Sequence, residues 1–276
     1  MLQQEHRKQL FVRELRILHR LPKHQNVIEF LGCSHGGFCT RFVNGGIDIL
    51  KYRMQVGFIS SSIRLHIVDS VLKGLQALQE MDIYHGDIKP ENIVIDERAE
   101  HRRTRQWRPQ VRLIDFGLSS ETDITHMACG SPHYSAPEVI ENYEIHPNFV
   151  SYSQAKADLW SLGITVYAIH TGFFLWHTAS KSDANFARFL KCSEQHYGRS
   201  VACPMKIINN MYPSRQKWEN WELEVIQATL QIRPPLRHAP TLQIQPPLQN
   251  APSFCKRRVF ERAQISRKRQ RNACVA

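Results

Sequence analysis

Apolar positions recur with helical spacing from the start of the chain. Phe11, Leu15, Leu18 and Leu21 fall at steps of three or four residues and predict an amphipathic helix. Two apolar runs follow at 27–31 and 38–43, read as short strands joined by the turn Ser34-His35-Gly36-Gly37. From Ser61 to Gln79, Ile63, Ile67, Val71, Leu75 and Leu78 make one stripe, which predicts a helix capped by Ser61 or Ser62. Residues 93–95 and 111–114 read as strands; the basic stretch between them, 96–110, is longer than a tight hairpin needs and reads as a surface insertion. Residues 157–170, A-D-L-W-S-L-G-I-T-V-Y-A-I-H, are apolar on nearly every side, the pattern of a buried helix.

Composition sets the frame for these elements. A chain of 276 residues that is 42% hydrophobic can bury the core of one large domain, or of one and a half lobes. Its seven cysteines form no C-x-x-C pair and no metal-ligand spacing, which points to reduced thiols. The polar opening residues do not make a secretory leader, and no apolar run approaches the ~20 residues needed to span a bilayer. The expectation is a cytoplasmic or nuclear protein without a membrane partner. Much of the net charge of +11 gathers at the end, where residues 255–276 hold eight Lys or Arg against one Glu. Two readings of that tail stand: a solvated disordered segment, or a nuclear-import signal or nucleic-acid contact through Arg267-Lys268-Arg269-Gln270-Arg271. Ahead of it, L-Q-I-R-P-P-L-R-H-A-P-T at 230–241 is repeated as L-Q-I-Q-P-P-L-Q-N-A-P-S at 242–253, and Pro-Pro in each copy favours extended or turn structure.

The candidate chemistry lies in the middle of the chain. H-G-D-I-K-P-E-N at 85–92 is followed by I-D-F-G at 114–117 and A-P-E at 136–138. Each piece alone is common, but the ordered series resembles the catalytic half of a eukaryotic protein kinase. The resemblance implies an α+β, protein-kinase-like fold with a mainly helical large lobe and a truncated small lobe. It places a partial small lobe (a regulatory helix and two strands) at 1–43, the large lobe at 44–240, and a disordered Pro-rich and basic tail at 241–276. ATP, Mg²⁺ and a protein substrate are the ligands it implies.

Roles carried over by the resemblance rest on matched positions. Asp87 accepts or orients the proton of the substrate hydroxyl, and Lys89 sets a positive charge beside the transferring phosphate. Asn92 and Asp115 supply oxygen ligands for Mg²⁺, so Asn92 also touches the nucleotide site. Thr40 matches the gatekeeper, Phe42 and Val43 the adenine-binding hinge, and Val94 the residue packed under adenine. Lys89 and the loop G-S-P-H-Y-S-A-P-E at 130–138 resemble Ser/Thr kinases of the calmodulin-dependent and AMP-activated type, with Ser131 bridging Asp87 and Lys89. The remaining matches are structural. Glu14 stands at the helix glutamate, and Leu18, Phe30, His85 and Phe116 match a stacked apolar column. Glu138 and Arg237 match a buried ion pair, although Arg233 stands where an acid usually precedes. Asp158 matches the carboxylate that accepts backbone bonds from the catalytic loop.

Several positions depart from the family pattern. No Gly-rich loop and no lysine-bearing strand precedes Glu14 within these residues. Gly86 replaces the arginine of H-R-D, and Met127 occupies the phosphothreonine position two before Cys129, leaving Thr125 as a weaker phosphosite. The two losses agree with each other. Two functions are therefore carried forward: a Ser/Thr protein kinase, and a catalytically impaired pseudokinase or truncated kinase fragment acting as a binding or scaffold protein.

Overall fold

The computed structural model describes residues 2–34, 37–41, 46–96, 109–144, 150–195, 217–231 and 237; for 2–10, 34, 96, 144 and 194–195 only the backbone is described. All of these belong to one compact unit, 1–99 with 109–244. The second unit, 100–108 with 245–276, lies outside the described residues. Phe42, Val43, residues 97–108 of the insertion, the second repeat copy and the basic tail also lie outside the described residues.

Helix α1 runs from Leu2 to Arg20 and buries Ile17 and Leu18. Pro22 disfavours the helical conformation of Leu21, and His19 with Arg20 supplies positive charge to the last turn, so the helix stops there. Phe11 does not reach the core; it is 37% exposed and stacks on Phe38 at 5.9 Å. The hairpin that follows is shifted from expectation. Strand β1 is Phe30–Ser34 and β2 is Gly37–Thr40, paired antiparallel with Phe30 opposite Thr40. The Glu29 carbonyl still accepts from Arg41 N at 2.7 Å, but Val27 and Ile28 do not belong to the hairpin. The Asn26 carbonyl accepts from Leu113 N at 2.9 Å and Ile28 N donates to the Leu113 carbonyl at 3.0 Å, so this stretch is already held by another strand.

That strand is β5 (Gln110–Leu113), the edge of an antiparallel sheet ordered β3 (Ile47–Asp48), β4 (Ile93–Asp96), β5. Past the last assigned pair the register continues, with Ile114 N donating to the facing Asn92 carbonyl at 3.0 Å. Along β4, Ile93 and Ile95 are buried while Val94 faces the opposite, more open side.

The rest is mainly helical. Asp48 caps α2 (Ile49–Val56) by accepting from Lys51 N at 2.8 Å. Helix α3 (Ser61–Gln79) buries Ile67, Val71, Leu75 and Leu78 as the stripe predicts. Its cap is Ser60 rather than Ser61 or Ser62, since helical backbone begins at Ser61; the Ser60 side chain makes no capping bond. Among the described residues, helices α4 (Pro137–Glu144), α5 (Gln154–Thr171), α6 (Ala184–Gln195) and α7 (Asn220–Thr229) follow, with β6 (Ile124–Thr125) paired to β7 (Tyr152–Ser153).

Helix α5 is the axis of the core, buried at nearly every position from Ala157 to His170. Trp160 packs on Trp176, Phe186 and Phe189 at 5.9–6.4 Å between ring centres. At Gly163 a Cβ would fall 2.2 Å from Thr229 Oγ1, so the missing side chain is what lets α7 lie close against α5. Cys33, Cys39 and Cys129 are free thiols, but Cys192 is disulfide-bonded, against the expectation of uniformly reduced cysteines. Among the described residues no helix is long and apolar enough to cross a membrane.

Candidate active site

The segment His85–Asn92 is suspended from α5 and from the segment that follows Phe116. Tyr84 and Ser120 exchange both backbone bonds, at 2.9 and 2.8 Å. Asp158, fully buried on α5, accepts from His85 N at 2.8 Å and from Gly86 N at 2.9 Å. Burial pushes its carboxyl up to about 7, against the opposing pull of these two N–H donors. Gly86 has φ +81°, and a Cβ there would meet the Leu118 carbonyl oxygen at 2.5 Å. Glycine fits this left-handed, crowded position because it has no Cβ to place. The buried His85 ring is held below its usual pKa by burial, hence neutral; Nδ1 accepts from Asp87 N at 3.3 Å, and Nε2–H donates to the Ile114 carbonyl at 3.1 Å.

Asp87 is the hub of the segment. Its Oδ2 accepts from Lys89 Nζ at 2.6 Å and from Asn92 Nδ2 at 3.0 Å, and its Oδ1 accepts from Ser131 N at 3.0 Å. Lys89 Nζ also donates to Ser131 Oγ at 2.8 Å. The structure thus brings Asp87, Lys89, Asn92 and Ser131 together, and Ser131 bridges the acid and the lysine through separate atoms. A small recess lined by Asp87, Ser131, Tyr134 and Ser161 adjoins them.

Asp115 joins the group from the other strand. Residue 92 precedes β4 and 115 follows β5, so antiparallel pairing of Ile93 with Leu113 sets both at one end of the ladder. Asp115 is exposed and left-handed at φ +66°, with Oδ1 accepting from Gly117 N at 3.3 Å. Phe116 is buried and its ring lies 5.1 Å from that of His85. Asn92 spends its amide nitrogen on Asp87, through the side chain and the main-chain carbonyl at 2.9 Å. An exposed carboxylate and an amide whose N–H groups are taken leave oxygen donors, the set a hard divalent cation prefers.

Glu14 reaches toward the same carboxylate. Its Oε2 lies 3.8 Å from where a side chain on Gly117 would begin. Burial, and then the Asp115 charge, raise its carboxyl above the ordinary value, and among the described residues no cation pairs with it. Glu138 and Arg237 do pair. Arg237 is fully buried; Nη1 donates to Glu138 Oε1, Nη2 to Oε2 at 3.0 Å, and Nε to the Gln231 carbonyl at 2.7 Å. Of the apolar column, Leu18 is buried, Phe30 packs against the core and against His19, and His85 touches Phe116. Thr40 ends β2; Phe42 and Val43 cannot be placed.

One group of residues went unnoticed in the sequence. Arg13, Arg16 and Arg20 of α1 all bond to the segment after Phe116 or to its neighbour Met81, and Glu121 receives two of them. Their spacing of three and four places them on one helical face, the signal that was available.

Comparison with known proteins agrees with this geometry. A family model for the protein kinase domain matches residues 2–248. The serine/threonine-protein kinase unc-51 of Caenorhabditis elegans is 32% identical over 174 residues, covering 60% of this chain and 19% of the relative. CBL-interacting protein kinase 17 of Oryza sativa subsp. japonica is 26% identical over 194 residues, 64% of this chain and 39% of the relative. The serine/threonine-protein kinase ATG1a of Arabidopsis thaliana is 30% identical over 168 residues, 58% and 24%. The chain therefore spans well under half the length of these relatives. With a family match that runs over most of its length, the chain belongs to the protein kinase domain family.

Proposed function

We propose that this chain transfers the γ-phosphoryl group of ATP to serine and threonine hydroxyls of protein substrates. The observation that carries the reading is the three-way bonding of Asp87, Lys89 and Ser131, which fixes an acid and a cation side by side. In this reading the substrate hydroxyl sits on Asp87. Its oxygen bonds to the γ-phosphorus as the bond from that phosphorus to the β–γ bridging oxygen breaks. ADP leaves with the electron pair, and the hydroxyl proton passes to Asp87. Lys89 holds positive charge where negative charge shifts, and Ser131 keeps Lys89 aimed. Asn92 and Asp115 are the residues that would hold Mg²⁺, which neutralises phosphate charge when bound. Thr40 and Val94 line the adenine side.

A second reading, a binding or scaffold protein, draws on one observation: Glu14 and Asp115 face each other with no cation between them among the described residues. Incubating the purified chain with radiolabelled Mg-ATP and peptides bearing Ser, Thr or Tyr decides between the two. Label on Ser and Thr peptides that disappears in Asp87→Ala supports the kinase reading. Transfer no greater than that of Asp87→Ala moves the chain to the second.

A further inference from the structure

Helix α1 carries Glu14 to Asp115, so whatever fixes α1 sets that approach. Two like charges brought together repel, and an opposing attraction must hold the helix down. The described contacts between α1 and the segment that follows Asp115 come from one face. Arg13 Nη2 donates to the Ser119 carbonyl at 2.6 Å, Arg20 Nη1 to Glu121 Oε1 at 2.5 Å, and Arg16 to Glu121 Oε2. Arg20 Nη2 also donates to the Met81 carbonyl at 2.7 Å, just past the end of α3. Glu121 thus spends each oxygen on a different arginine of the same helix.

The position of Glu121 gives this contact its reach. It follows Ser120, whose backbone is doubly bonded to Tyr84, and Tyr84 precedes His85 and Asp87. A bonded path of three steps runs from the arginines of α1, through Glu121 and the Ser120–Tyr84 pair, into the catalytic segment.

We propose that Glu121 is a positioning residue that clasps α1 through Arg16 and Arg20 and so fixes where Glu14 stands beside Asp115. The proposal rests on the kinase reading only for its consequence in catalysis; the clasp itself does not need it. Exposed ion pairs are weak singly, but two arginines on one carboxylate, with a second anchor on Met81, form a network. The clasp is expected to weaken with salt.

Amide hydrogen exchange of α1 tests this without nucleotide. In Glu121→Gln the amides of α1 should exchange about fivefold to tenfold faster, with α3 and α5 unchanged. Arg16→Gln with Arg20→Gln should do the same, and all three together no more than either. Glu121→Asp, and Lys at both arginine positions, should retain most of the protection. Unchanged α1 exchange in Glu121→Gln, or additive effects in the triple variant, would overturn the clasp. If Glu121→Gln loses protection across the whole chain, the arginine variants carry the test from the exposed side, and unchanged α1 exchange there overturns it equally. Where the kinase assay gives activity, kcat should fall in Glu121→Gln with peptide KM within about twofold, because the clasp is remote from Ser131. A chain inactive in every form would sink the kinase reading and leave the exchange result to judge the clasp.

Discussion

Arg237, fully buried, grips Glu138 with both terminal guanidinium nitrogens across 99 positions of sequence, its Cζ lying 4.7 Å from the Trp160 ring centre. The pair ties the end of the described chain to the start of α4. Lys156 closes the contact by donating to the Arg237 carbonyl at 2.6 Å. Glu138→Ala leaves Arg237 buried without its carboxylate and should lose about 3–5 kcal/mol in denaturant unfolding. Arg237→Ala should also destabilise, although the Glu138 carboxylate it leaves behind is partly exposed. The double variant should lose clearly less than the sum, since the second change relieves the first. Additive losses would mean the two residues act independently.

Much of this was legible beforehand, for reasons that differ by element. The stripe of α3 and the all-round apolar run of α5 were readable because periodicity reports burial directly. The contacts of the candidate site were readable because its residues are packed into short ordered motifs, and Ser131, Lys89 and Asp87 are bonded to one another as the resemblance implies. The hairpin was displaced because β-branched Val27 and Ile28 look like a strand whichever partner they find. Their partner proved to be Leu113, and nothing local announces a contact so distant in sequence. The cap of α3 was missed for a smaller reason: three consecutive serines, 60–62, offer equivalent side chains, and backbone geometry chose the first. Glu121 was invisible because a single acid in a polar loop carries no periodic signal.

A second buried cluster should govern acid stability. Arg64 Nε donates to Glu222 Oε1 at 2.7 Å, and His170 Nδ1 lies 2.9 Å from the same oxygen. Burial pushes the Glu222 carboxyl up, but the His170 and Arg64 bonds outweigh it and hold the group below its usual value of 4.5. A lowered folded pKa means stability that is present above about pH 4.5 and is lost as pH falls through the folded value. Glu222→Gln should be less stable than the parent by about 3–5 kcal/mol at neutral pH, because Arg64 stays buried. The gap should narrow as pH drops below 4. A gap that stays constant from pH 7 to pH 3 would show that Glu222 does not titrate into the cluster.

Gly86 offers a test of local crowding. With φ +81° and the Leu118 carbonyl 2.5 Å from any added Cβ, Gly86→Ala must move backbone rather than a side chain. The expected loss is about 1–3 kcal/mol. The double Tyr84–Ser120 bond lies beside it, so amide protection at those two residues should drop first. A Gly86→Ala chain as stable as the parent, with unchanged protection, would contradict this.

The catalytic group itself makes an ordered prediction. Asp87 is the proton acceptor in the proposed reaction, so Asp87→Ala removes the group outright and should lower kcat by about a hundredfold to ten-thousandfold. Lys89 contributes one charged hydrogen bond near the shifting charge. A charged bond is worth about 1.5–3 kcal/mol, which sets the loss in Lys89→Met at roughly tenfold to a hundredfold. Ser131 holds Asp87 through its backbone N–H, which Ser131→Ala keeps; the substitution deletes only the hydroxyl that accepts from Lys89. That bond has an ammonium donor and is charge-assisted, but the lysine keeps Asp87 as a partner, so the expected loss is no more than about tenfold. Initial rates with one Ser peptide at saturating Mg-ATP should follow that order, Asp87 first and Ser131 last. Lys89→Met together with Ser131→Ala should be no worse than Lys89→Met alone, since the hydroxyl acts by aiming the lysine. A Ser131→Ala defect as deep as that of Asp87→Ala would mean that the hydroxyl touches substrate directly, and that its role here is misassigned.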